Sequence, residues 1–163
     1  MQSYVDTLTA LVRALAARSP DFDAVKDAGT GDHATNSFMR QLRGDAEAAF
    51  RVDFSEKKIC GNNNFAVDFY FPSEGAVVEV ALGLPNPASE FEKDILKALM
   101  ARESGHAVRR LVFISRAGAA KKCSQPGRSA IINWARARHD LEIEVRELAG
   151  TPRMRKRRRT RTE

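Results

Sequence analysis

At 163 residues, 43% hydrophobic and 29% charged, the chain holds enough apolar material for one globular domain with a real core and is too short for two. No apolar run approaches the ~18 residues that cross a bilayer, and the N-terminus lacks the charged, apolar and small-residue succession of an export signal, so a cytoplasmic protein (nuclear in a eukaryote) with no membrane partner is expected. The formal charge of +6 is concentrated at one end: Arg153, Arg155, Lys156, Arg157, Arg158, Arg159 and Arg161 stand against Glu163 in residues 151–163, leaving 20 basic and 20 acidic side chains in residues 1–150.

The reading is therefore a folded domain over 1–150 and a basic, disordered tail over 151–163, which has few groups able to support folding. Such a tail attracts phosphate backbones or acidic partners, or serves only to solubilise the chain. Within the domain, Ser3 and Asp6 resemble a capping pair, and Val5, Leu8, Val12 and Leu15 recur at helical spacing; a helix over 3–18 follows. Pro20, Gly29 and Gly31, with four aspartates and no apolar period, make 19–33 a loop. Phe38, Met39, Leu42, Ala46, Ala49 and Phe50 mark one face of a second helix over 36–50, weakened in its middle by Gly44.

A strand over 54–60 is interrupted by Lys57 and Lys58 and ends at the turn Gly61-Asn62-Asn63-Asn64. A β-hairpin comes next. Phe65, Val67, Phe69 and Phe71 alternate with Ala66, Asp68 and Tyr70, the Pro72–Gly75 stretch forms a four-residue loop, and residues 76–82 return as Ala-Val-Val-Glu-Val-Ala-Leu. Pairing Phe71 with Ala76 places Asp68 opposite Glu79. Facing residues have Cβ atoms about 5 Å apart, within reach of a shared metal ion. Pro85 and Pro87 precede a helix over 88–102 with a stripe of Phe91, Ile95, Ala98 and Leu99. A strand over 108–115, a basic loop, a helix over 129–138 with Ile131, Trp134 and Ala135 inward, and a strand over 141–148 complete the series. The meander is antiparallel and each strand–helix–strand crossing implies parallel pairing, so an α/β fold with a mixed sheet flanked by helices is expected.

Two carboxylates that meet across a hairpin repel one another unless a metal ion or a base lies between them. Structural roles compete: Asp68 can accept backbone or Tyr70 hydrogen bonds, and Glu79 can pair with an arginine. In element order and in this acidic pair, residues 36–148 resemble the PD-(D/E)XK nuclease superfamily, the restriction-endonuclease-like fold. The resemblance implies an αβββαβ core, here with an added N-terminal helix and a C-terminal helix and strand. It implies that Asp68 matches the Asp of the second strand, Glu79 the Glu of the third, and that both bind Mg²⁺ or Mn²⁺ for phosphodiester hydrolysis, with DNA the preferred substrate. The motif's lysine, two residues after the Glu, is Ala81 here. By likeness to members whose lysine has moved to the next helix, Lys93 becomes the catalytic substitute. Glu92, read toward the sheet between Leu96 and Leu99, joins it as a catalytic candidate, while Glu90 and Lys97 are read as solvent-facing. Glu47 on the second helix is a further candidate metal ligand by the same likeness, against the ordinary reading of a solvated helix face.

Arg116, Lys121, Lys122 and Arg128 are candidates for gripping nucleic-acid phosphates from a loop, together with Arg153, Arg155, Lys156, Arg157, Arg158 and Arg159 of the tail. His33, His106 and His139 lack metal spacing, and Cys60 and Cys123 are given no role. The leading function is a metal-dependent nuclease acting as a homodimer or as a subunit of a larger assembly. The alternatives are an inactive restriction-like module that binds nucleic acid or assembles with partners, and a scaffold whose tail binds an acidic protein.

Overall fold

The structure, a computed structural model, describes residues 2–26 and 32–150; the basic tail lies outside them. Helix α1 (Tyr4–Arg18) begins at Ser3, whose side chain accepts from the Asp6 N–H, and buries Val5, Leu8, Val12 and Leu15 as the periodicity predicts. Helix α2 (His33–Phe50) starts three residues before the expected 36, because Asp32 caps it by accepting from the Thr35 N–H. An aspartate counted with the loop is the helix start signal.

Five strands follow: β1 (Ser55–Lys57), β2 (Val67–Phe71), β3 (Ala76–Val80), β4 (Arg110–Ser115) and β5 (Glu142–Glu147). They form one mixed sheet in the order β1-β2-β3-β4-β5, antiparallel across the first three and parallel from β3 to β5. β1 is only three residues long, as its lysine-broken alternation foreshadows. Between the strands lie α3 (Phe91–Glu103), a short α4 (Ala119–Cys123) inside the expected basic loop, and α5 (Pro126–His139).

The sheet separates two apolar clusters. Leu8, Val12, Phe38 and Leu42 from α1 and α2 pack on Phe69, Phe71, Val78 and Val80, while Phe91, Ile95 and Ala98 of α3 and Ala135 of α5 pack on Tyr70, Val77, Leu111 and Phe113. Rings of Tyr4, Phe50 and Phe54 close around Phe71, with centroids 5.4, 5.5 and 5.1 Å away. Each contact of this kind contributes about 0.5–1.5 kcal/mol beyond the area it buries. The aromatic face is less continuous than the alternation suggests. Phe65 and Val67 pack with the α3 cluster, and the chain before Val67 is irregular. Trp134, expected inward, is 47% exposed; Ala135 beside it holds the buried position.

Candidate functional site

The site is assembled on the hairpin. Pro72–Glu74 makes a 3₁₀ turn closed by Gly75 at φ 57°, a left-handed conformation in which a Cβ would also come within 2.9 Å of the Ala107 carbonyl oxygen. The turn fixes Phe71 opposite Ala76, Tyr70 opposite Val77 and Phe69 opposite Val78, as expected. The next step of that register brings Asp68 against Glu79, and both side chains line one cavity. The Val80 N–H donates to Asp68 Oδ2 at 2.8 Å, which fixes the carboxyl's orientation.

A cation reaches this pair from α3. Lys97 Nζ lies 2.9 Å from Glu79 Oε1 and 2.9 Å from Asp94 Oδ1, and donates to the Ala66 carbonyl at 3.1 Å. Lys97, Asp94 and Glu79 are all buried. Three carboxyls thus gather about one ammonium, and their proton affinities register the imbalance. Burial, then the neighbouring Asp68 and Asp94, push Glu79 well above the usual carboxylate range, against the opposing pull of Lys97. Burial raises Asp94 to about 6, again with Lys97 opposing. Asp68 is raised by burial and held back by the Val80 N–H and Lys97. Burial alone would depress Lys97, but Glu79 and Asp94 outweigh it and keep the amine protonated.

These groups line a cavity of about 270 Å³ whose other walls include Arg43 of α2, Glu56 of β1, Phe65, Ala81 and Lys93. Among the described residues, no group of three or more His, Cys, Asp or Glu side chains is arranged to hold a metal ion. Magnesium is nevertheless commonly bound by one or two carboxylates, with waters and substrate oxygens filling the rest of its shell. Asp68 and Glu79 supply hard oxygens of that kind, and Glu79 Oε1 is buried without an aligned hydrogen-bond donor although the Lys97 charge is close. The donor set fits a hard divalent cation.

Several expected site residues lie elsewhere. Lys97, read as solvent-facing, is the lysine at the acids, and Asp94 is an acid the sequence reading missed. Lys93 lines the cavity mouth but pairs with Glu90 at 2.9 Å, with 43% of its side chain exposed. Glu92 points to solvent and does not line the cavity, because Leu96, taken as a marker of the buried side, is itself 49% exposed. The signal was present: positions 91, 94, 95, 98 and 101 follow the i, i+3, i+4 progression, and Asp94 falls on it. Glu47 is exposed on α2 away from the cavity; Arg43, one turn earlier, is the α2 residue that reaches it.

The loop cations also divide. Arg128 is buried, donating to the carbonyls of Leu84 and Asn86 and to Ser89 Oγ, with its guanidinium 4.8 Å from the Phe91 ring centroid. It clamps the turn that leads into α3, and this turn explains why the helix begins at Phe91 and not at 88. Arg116 is likewise engaged, donating to Phe22 and Val25 carbonyls over the Phe22 ring. Lys121 is exposed and Lys122 partly so on α4, and neither lines the cavity. The six tail candidates, Arg153, Arg155, Lys156, Arg157, Arg158 and Arg159, fall outside the described residues.

No family model matches the chain, and comparison with curated proteins and with solved structures returned no match. Among the described residues, no helix is long and apolar enough to cross a membrane.

Proposed function

We propose that the chain is a divalent-metal-dependent nuclease of the PD-(D/E)XK type that hydrolyses phosphodiester bonds of nucleic acid, with DNA as its substrate. The observation that carries this reading is Lys97: where the motif's lysine is replaced by Ala81, an ammonium delivered from α3 stands 2.9 Å from Glu79 in the cavity that Ala81 also lines. The strand order, antiparallel through β3 and parallel beyond it, supports the αβββαβ core with α1 and the α5–β5 pair as additions.

Asp68 and Glu79 would hold Mg²⁺ or Mn²⁺, which neutralises charge on the phosphoryl oxygens and lowers the pKa of a bound water. The Val80 N–H keeps Asp68 aimed at the cavity, and Asp94 holds Lys97 beside Glu79. Because its neighbours keep Lys97 protonated, it suits charge stabilisation and water orientation better than proton removal. A dimer or a larger assembly would supply the base-reading surface that a chain of this size lacks.

The test is a cleavage screen on single-stranded, double-stranded and structured DNA and RNA, with Mg²⁺, Mn²⁺ or chelator. The expected result is metal-dependent cleavage that disappears in Asp68→Asn and in Glu79→Gln. The second reading, an inactive restriction-like module, draws on Ala81 and on the ion pairs that already engage Lys97. Nucleic-acid binding that persists in chelator with no cleavage under any metal would decide for it.

A further inference from the structure

We infer that Arg43 is the phosphate-binding residue of this cavity, and that Glu56 occupies it until a nucleic-acid phosphate displaces it. The identity of the anion rests on the nuclease reading; the anion site itself rests on the geometry of two side chains. Arg43 projects from α2 into the wall of the cavity that holds Asp68, Glu79 and Lys97. Its Nη2 lies 2.9 Å from Glu56 Oε1, while its Nε–H is buried and meets no acceptor among the described residues.

Those two nitrogens form one edge of the planar guanidinium fork, the edge that two oxygens of a carboxylate or phosphate take together. Here a single carboxylate oxygen uses half of it. An arginine retained only to tether β1 to α2 would gain from a bidentate pair, and Glu56 does not supply one. Glu56 is also a poor permanent partner. Its side chain is 61% exposed, so water and salt weaken the pair. Its backbone sits at φ 47°, a left-handed conformation that a non-glycine residue adopts only at a cost. A phosphodiester would satisfy both nitrogens and replace a weakly held carboxylate.

Electrostatics point the same way. The cavity carries Glu56, Asp68, Glu79, Glu90 and Asp94 against Arg43, Lys93 and Lys97, so an entering phosphate gains from a cation released by its carboxylate partner. Lys97 is committed to Glu79 and Asp94, and Lys93 to Glu90. Displacing Glu56 both frees a cation and moves an acid away from the substrate's path.

The experiment measures binding of a short labelled DNA duplex by fluorescence anisotropy in Ca²⁺, using the full chain and its Arg43→Ala, Arg43→Lys and Glu56→Gln variants, with thermal unfolding as a folding control. Loss of a charge-assisted contact weakens binding by about tenfold or more in Arg43→Ala, lysine does not restore it, and Glu56→Gln tightens binding several-fold. Equal affinity of Arg43→Ala and the parent, no duplex binding by the parent, or a Glu56→Gln variant that weakens binding as Arg43→Ala does would overturn the assignment. The last result would mark the pair as a tether. Cleavage of the same duplex in Mg²⁺ by Asp68→Asn judges the nuclease reading separately: cleavage that survives in this variant removes that reading while an Arg43-dependent affinity stands.

Discussion

Lys97 and Glu79 meet 2.9 Å apart across the interface between the middle of α3 and the third strand, both out of solvent. The ammonium is also bound to Asp94, one helical turn before it, and to a carbonyl of the chain entering β2. One side chain therefore ties a helix to the two strands of the hairpin, and stability and the proposed chemistry depend on the same atom.

Removing that atom leaves buried carboxyls with no cation. Truncating one partner of a buried pair costs about 3–5 kcal/mol, and Lys97→Met is expected to lose stability in that range near neutral pH. The loss shrinks as the pH falls through about 6, where Asp94 takes up its proton. Lys93→Ala breaks a pair with 43% and 48% exposed side chains, and such pairs contribute only about 0.2–1 kcal/mol. Urea unfolding of both variants at two pH values tests the contrast. Similar losses in the two would reject the assignment of the buried lysine role to Lys97.

Asp94 gives a pH dependence of known sign. Its carboxyl is raised from the ordinary 3.8 to about 6, so ionising it is harder in the folded chain than in the unfolded one. Its contribution to stability is complete below the unfolded value and is lost as the pH rises through about 6. The loss is on the order of 3 kcal/mol. Urea midpoints of the parent relative to Asp94→Asn should therefore fall between about pH 4 and pH 7. A difference that stays constant, or rises with pH, would show that Lys97 governs the pair more strongly than burial does.

Much of the fold was legible because its elements obey simple periods: α1 shows a four-residue apolar stripe, and the hairpin register follows from a turn bounded by Pro72 and Gly75. The opposition of Asp68 and Glu79 follows from the same arithmetic. What misled the reading on α3 was a helical face centred on Leu96 and Leu99, which turned Glu92 inward and Lys97 outward. The sheet beneath carries acids, so a lysine is the better neighbour and Leu96 is left exposed. Arg43 escaped notice for a related reason. An arginine on an amphipathic helix reads as solvated, and only the three-dimensional path of β1 shows that it lies beside the cavity.

Arg128, expected in a loop, shows how a basic residue in the first turn of α5 becomes structural. It donates to three partners in the turn before α3 and stacks on Phe91, the residue that begins that helix. Arg128→Ala is expected to cost about 2–4 kcal/mol, from the lost charge-assisted bonds and the carbonyls left unpaired. Lysine recovers little of it, because a point charge cannot reproduce the fork. Hydrogen exchange should quicken across residues 83–90 in both variants. Unaltered exchange in Arg128→Ala, joined to weaker nucleic-acid binding, would return this residue to the role of a surface phosphate contact.

The seven cations of residues 151–163 are distinct in sequence from the site residues, so deleting the segment removes them without changing the site's own side chains. Each phosphate neutralised adds about 0.9 to the slope of log affinity against log salt, and deleting the segment is expected to flatten that slope by several, up to ~6. Binding should weaken most at low salt, where counterion release is most favourable. Asp68, Glu79 and Lys97 are untouched by the deletion, so metal-dependent cleavage of short substrates should continue at saturating concentration. A slope unchanged by the deletion would assign the salt dependence to cations of the folded domain, with Arg43 the first to examine.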